Sequence, residues 1–185
     1  MVGPAVAGAV ASNVATLLQL MILVGTADPK LLLRLALPLA GAGVTALAYA
    51  LLQTWRARGA EAAADRGHAF RLTSALFFAG LVTLLSLATI LVQRLGGVAS
   101  VLVTSALAGF VDAHAPAAAV SSVYASGQIS LQGAEYAVLL ALTTNALTKC
   151  GLALASRCAP YARRVIIGVV LSIGAAWVVF LVRGP

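Results

Sequence analysis

Asp112 and His114 stand two residues apart in the run Gly109-Phe110-Val111-Asp112-Ala113-His114-Ala115-Pro116, within a glycine-rich hydrophobic segment between Leu95 and Ser130. A carboxylate and an imidazole so placed can coordinate an ion or handle a proton. An ionisable group at bilayer depth is costly and usually faces a bundle interior, a wet cavity or a pathway. A second set lies downstream. Asn145 and Lys149 are four apart and share a helix face, with Thr148 beside them and Glu135 near the opening turn. Three readings of Lys149 stay open: snorkelling to the interface, pairing with Asp112, or deprotonation in a dry pocket. Asp112, His114, Asn145 and Lys149 are therefore the candidate substrate or ion site, and one polar pocket shared by both sets is expected.

The elements that must position these groups follow from composition. Of 185 residues 62% are hydrophobic and 9% charged, and the mean hydropathy is +1.03, too little polar surface for a soluble globule. A crossing takes about 20 apolar residues, so the length allows about six helices and one domain, residues 1–185. Long unalternated runs of Ala, Leu and Gly disfavour a β-barrel. The expected fold is an all-α polytopic transmembrane bundle.

Its helices are expected at about 4–24, 30–55, 72–95, 97–111 plus 116–126, 131–156 and 165–182. The first lacks a positive n-region and carries Asn13, Thr16 and Gln19, which suits a retained helix better than a signal peptide. Asp28-Pro29 marks a turn, and Pro38 followed by Gly41-Ala42-Gly43 predicts a kink and close helix approach. In the third, Thr83, Ser86, Thr89 and Gln93 recur at helical intervals, either facing other helices or bonding back to their own. Gln19, Ser86, Thr89, Gln93, Glu135 and Thr148 are candidates for a secondary polar lining.

The 97–127 segment does not read as one crossing. From Gly96 to Val111 sixteen residues precede Asp112, about 24 Å as a helix, and Ala115-Pro116 can open a second short helix that Gly127 stops. A broken or re-entrant hairpin results, as in transporters whose half-helix ends face a cavity. A carboxylate near a helix start is favoured by the free N–H groups and the dipole.

Twelve Lys and Arg against five Asp and Glu give a net charge of +7, but the basic residues sit between or at the ends of apolar runs. That is the pattern of topology determinants and headgroup contacts, and no nucleic-acid partner is expected. With six conventional crossings the basic residues nearly cancel between the sides. With a hairpin, Arg157, Arg163 and Arg164 join the loop of Arg56, Arg58, Arg66 and Arg71, and the N-terminus is expected to be cytoplasmic. His68 in that loop reads as a surface histidine, and Cys150 and Cys158 as small apolar fillers. No metal or other cofactor is expected.

Gly109-Phe110-Val111-Asp112-Ala113-His114-Ala115, Thr143-Thr144-Asn145-Ala146-Leu147-Thr148-Lys149 and Tyr161-Ala162-Arg163-Arg164-Val165 with Gly168 resemble an uncharacterised membrane domain. That family commonly forms the C-terminal half of proteins with an N-terminal MgtC/SapB-type membrane domain. The resemblance covers nearly the whole chain and implies a polytopic bacterial inner-membrane protein. This chain begins with its own methionine, so no MgtC-like half is expected to precede it. A separate MgtC-like partner or self-association would replace that half.

Two functions follow. One is a transporter or channel-like carrier of a small ion or polar solute, with Asp112 and His114 coordinating it, Asn145 lining the site and Lys149 as counter-charge. The other is a structural or regulatory subunit whose buried polar residues lock helices or a partner together. A hydrolytic trio of Asp112, His114 and Ser121 or Ser122 lacks a nucleophile elbow, so no enzyme and no catalytic residue is expected.

Overall fold

The computed structural model describes residues 3–57 and 97–184 and, between them, only Leu76, Gly80, Thr83, Leu84 and Leu87, each helical. The expected 72–95 helix, including Ser86, Thr89 and Gln93, thus lies almost wholly outside the described residues, as does His68. The described chain is all-helical: α1 (Gly3–Ala27), α2 (Pro29–Ala57), α3 (Gly97–Gly109), α4 (His114–Ala125), α5 (Leu131–Ala155) and α6 (Ala159–Arg183). Of these, α1, α2, α5 and α6 are long and apolar enough to cross a membrane. The chain is a multi-pass membrane protein. Leu33, Val44, Leu152 and Leu181 are among the large apolar side chains left on its outside, where lipid can cover them.

Local sequence sets most boundaries. Asp28 Oδ1 accepts from the backbone N–H groups of Lys30 and Leu31 at 2.8 and 3.0 Å, and Pro29 opens α2 without needing a donor. Pro38 stays inside α2. Beside it, a Cβ on Gly41 would lie 3.1 Å from Val179 Cγ2, so the small residue sits where α6 comes close. The α4 stop is a Schellman turn: Gly127 has φ 75°, its N–H donates to Tyr124 O, and the N–H of Gln128 donates to Val123 O. Ser130 then caps α5 by accepting from Gly133 N. The last helix starts six residues earlier than hydropathy predicts. Pro160 supplies a pre-set φ in its first turn, so the polar Arg163 and Arg164 ride on the helix instead of preceding it.

The four long helices alternate in direction and create two distinct ends. Tyr49 Oη donates to Arg164 O at 2.9 Å, which puts the second half of α2 beside the start of α6. At the opposite end Arg183 Nη1 donates to the carbonyls of Leu33 and Arg34, and Arg34 Nε lies 3.4 Å from Glu135 Oε1. The first end, which also holds Arg56, Arg157 and Arg163, is called the arginine-rich end below. The other is the hairpin end.

Two apolar clusters stack between them. Toward the arginine-rich end, Val6, Val10, Ala46, Ala50, Ala146 and Val165 pack from the four long helices alone. Toward the hairpin end, Leu31, Leu35, Ala134 and Val138 join Ala113, Ala117 and Val120 of the α4 region. Both hairpin arms lean on this second cluster, α3 through Val101 and Leu102 and α4 through Val123 and Tyr124. The α3–α4 hairpin therefore enters and leaves at one end. Its 12-residue α4 arm reaches about 18 Å, roughly half-way through a bilayer.

Candidate functional site

The hairpin tip is fixed to the middle of α5 by a glycine and a threonine. A Cβ at Gly109 would land on Thr144 Oγ1 and on the carbonyl of Ala141, and within 2.6 Å of Ala141 Cα. Only glycine lets the α3 backbone come this close. One turn further along α5, Thr148 Oγ1 donates to Phe110 O at 2.7 Å and satisfies a carbonyl that the end of α3 would leave open.

Within the tip, His114 Nδ1 and Asp112 Oδ1 are 2.6 Å apart, and Asp112 Oδ2 accepts from the backbone N–H of Ala115 at 3.1 Å. The carboxylate thus orients the imidazole and caps the start of α4 together. The Asp112 and His114 side chains are 43% and 28% exposed, but His114 Nε2 is buried and has no hydrogen-bond partner among the described residues. With Nδ1–H pointing at the carboxylate, a neutral ring keeps a bare lone pair on Nε2. That nitrogen can accept a proton or a hydrogen bond, or bind an ion.

Lys149 does not complete this pair. Its Nζ donates to Asn13 Oδ1 at 2.8 Å and to Thr16 Oγ1 at 3.1 Å, both on α1. The pairing with Asp112 considered from the sequence is therefore corrected, because residue 149 lies about 100° around the helix from Thr148 and faces α1 when Thr148 faces the tip. Asn13, 2% exposed, donates from Nδ2 to Ser172 Oγ at 3.5 Å, and the fully buried Ser172 donates to Ala42 O at 3.0 Å. One polar chain thereby ties α5, α1, α6 and α2 together. It lies between the two apolar clusters: Val10 and Leu17 flank Asn13, and Val169 and Ala176 flank Ser172, each with one neighbour in either cluster.

The remaining candidates separate. Thr148 bridges the two polar groups, since its own bond reaches the tip while the adjacent Lys149 reaches α1. Asn145 is half-buried on α5, one turn before Lys149. Gln19 is exposed on α1 and joins neither group. Glu135, 3% exposed, belongs to the hairpin end with Arg34, about 21 Å along α5 from Lys149. Ser86, Thr89 and Gln93 lie outside the described residues. Asn13, Thr16 and Ser172 are the functional candidates that sequence patterning does not single out. A polar side chain within an apolar run was the available signal for Asn13 and Thr16.

The family model described as Domain of unknown function (DUF4010) matches residues 1–156. The chain belongs to this family. The DUF4010 match takes in the hairpin, Asn145, Lys149 and both α1 acceptors, whereas α6 with Ser172 lies beyond it. No curated protein and no solved structure matches the chain.

Proposed function

We propose that this DUF4010 protein is a carrier, transporter or channel-like, for a small ion or polar solute, and that the hairpin tip is where the species is held. The observation that carries the reading is the Asp112–His114 pair at the tip of a half-crossing hairpin, partly exposed and with His114 Nε2 unpartnered. Charged groups at that depth are tolerated where water or a polar ligand reaches them. Asp112 and His114 meet the species, Asn145 lines its approach, and Lys149 supplies positive charge behind it. No bond of substrate is made or broken, so this is not an enzyme. The protein works in a bacterial inner membrane, as a homo-oligomer or with a separate MgtC-like membrane protein. Gly151 and Gly174 support such association, because each presents a small, open helix surface to a neighbour.

Purified protein in lipid vesicles tests this, with uptake of monovalent ions, divalent ions and small polar solutes measured side by side. The carrier reading expects at least one species to enter, and Asp112→Asn to abolish that uptake while assembly is retained. Identical fluxes through wild type, Asp112→Asn and empty vesicles refute it.

A second reading has its own support. The Lys149–Asn13–Ser172–Ala42 chain joins four helices and would serve a structural or regulatory subunit whose polar residues lock the bundle. Under that reading Lys149→Met dissociates the assembly, and wild type carries no flux.

A further inference from the structure

We infer that the Asp112–His114 tip is reached from one side only, the non-cytoplasmic side, and that the arginine-rich half of the bundle is its closed floor. The inference deepens the carrier reading and rests on it for its consequence, that the species arrives from outside the cell. Its structural basis is separate.

The first argument is where the hairpin opens. Among the described residues, both arms pack on the cluster of the hairpin end, so α3 and α4 enter the bundle from that end. The second is what lies beneath the tip. There the four long helices pack through valines and alanines, and a Cβ on Gly168 would lie 2.7 Å from Tyr49 Cδ1 and 2.8 Å from Val10 Cγ2. At that level α1, α2 and α6 are in close contact around Gly168. The Asn13–Ser172–Ala42 hydrogen bonds cross the bundle just above this layer and join three helices over it.

The basic residues assign the sides. Basic residues next to spanning helices stay on the cytoplasmic side. Arg56 at the end of α2, Arg157 in the α5–α6 turn, and Arg163 and Arg164 in the first turns of α6 all lie at the floor end. At the hairpin end the described basic residues are Lys30, Arg34 and Arg183, and two of these are engaged within the protein: Arg34 with Glu135, and Arg183 with backbone carbonyls. The floor end is therefore cytoplasmic, and the hairpin enters from the opposite face.

Native and introduced cysteines test this with a membrane-impermeant thiol reagent on right-side-out and inside-out vesicles. Cys158 is exposed at the floor end and serves as its reporter in a Cys150→Ser chain. In a chain lacking both native cysteines, Gln128→Cys marks the hairpin end, and Ala115→Cys, an exposed position beside the tip, marks the site. The expected result is labelling of Cys158 only in inside-out vesicles and of the other two only in right-side-out vesicles. Ala115→Cys labelled from the Cys158 side, or from neither side, overturns the inference, as does Cys158 labelled in right-side-out vesicles. Should the tip fail to tolerate Ala115→Cys, the Gln128→Cys and Cys158 pair alone still decides which face the hairpin enters. One-sided labelling of Ala115→Cys in a protein without flux upholds the sidedness and refutes the carrier reading, so the two failures are told apart.

Discussion

Half-way through the bundle, two polar groups are built in opposite ways. At the hairpin tip, Asp112 and His114 satisfy each other across two positions, stay partly exposed and leave one ring nitrogen without a partner. At the Lys149 junction, the ammonium has neutral oxygen acceptors on a helix more than 130 positions away, and Asn13 and Ser172 extend the chain to α6 and α2. A group with spare bonding capacity can exchange partners with a ligand at little cost. One whose partners come from four helices resists change, because each lost bond leaves a buried polar atom behind. Under the proposed carrier function, handling of the species falls to the tip and cohesion to the junction.

Several substitutions sharpen or break that division. Gly109→Val is expected to do most damage, since its side chain must displace the Ala141 backbone. A loss of about 3 kcal/mol, the upper part of the range for overpacking, is anticipated, with release of the hairpin. Unfolding in mixed micelles, read alongside proteolysis of the α4–α5 turn, measures it. Asn13→Leu comes next, removing an acceptor of the ammonium and the donor to Ser172. It is expected to cost about 1.5–2 kcal/mol of stability, as hydrogen bonds between membrane helices reach only the lower part of the range for charged pairs. A smaller loss than that of Asp112→Ala would undo the assignment of cohesion to the junction.

Asp112→Ala removes the imidazole's partner and the cap on Ala115 N–H, yet the tip keeps its anchors at Gly109 and Thr148. About 1 kcal/mol is expected from the missing cap. Smallest is Arg157→Gly, remote from both groups. Arg157 has φ 57°, so glycine should stabilise the α5–α6 turn by about 1 kcal/mol with no effect on flux. A change in flux there would mean that the floor-end turn takes part in transport.

The two groups also differ in how far the sequence announces them. The tip is written locally: Gly109, the Asp-x-His spacing, Pro116 and Gly127 each carry a backbone rule, and together they define a hairpin with a charged tip. The α1–α2 turn at Asp28-Pro29 is legible for the same reason. The junction is not. Asn13, Thr16 and Ser172 are ordinary polar residues in apolar helices, and nothing in their spacing says that Asn13 and Thr16 meet Lys149 from 136 and 133 positions away or that Ser172 meets Asn13 across 159. Only the rotation of α5, with Thr148 facing the tip and Lys149 facing α1, decides it. Gln19 is the counter-case. It shares the first helix with Asn13 and Thr16 but falls on the exposed face.

The division of labour is tested most directly by measuring uptake and unfolding on the same preparation of Asp112→Asn, an almost isosteric change that keeps oxygen and nitrogen at the tip but removes the charge. The account predicts that uptake of the carried species is lost while stability stays within about 1 kcal/mol of wild type. Unaltered uptake, or a stability loss as large as that of Asn13→Leu, would contradict it.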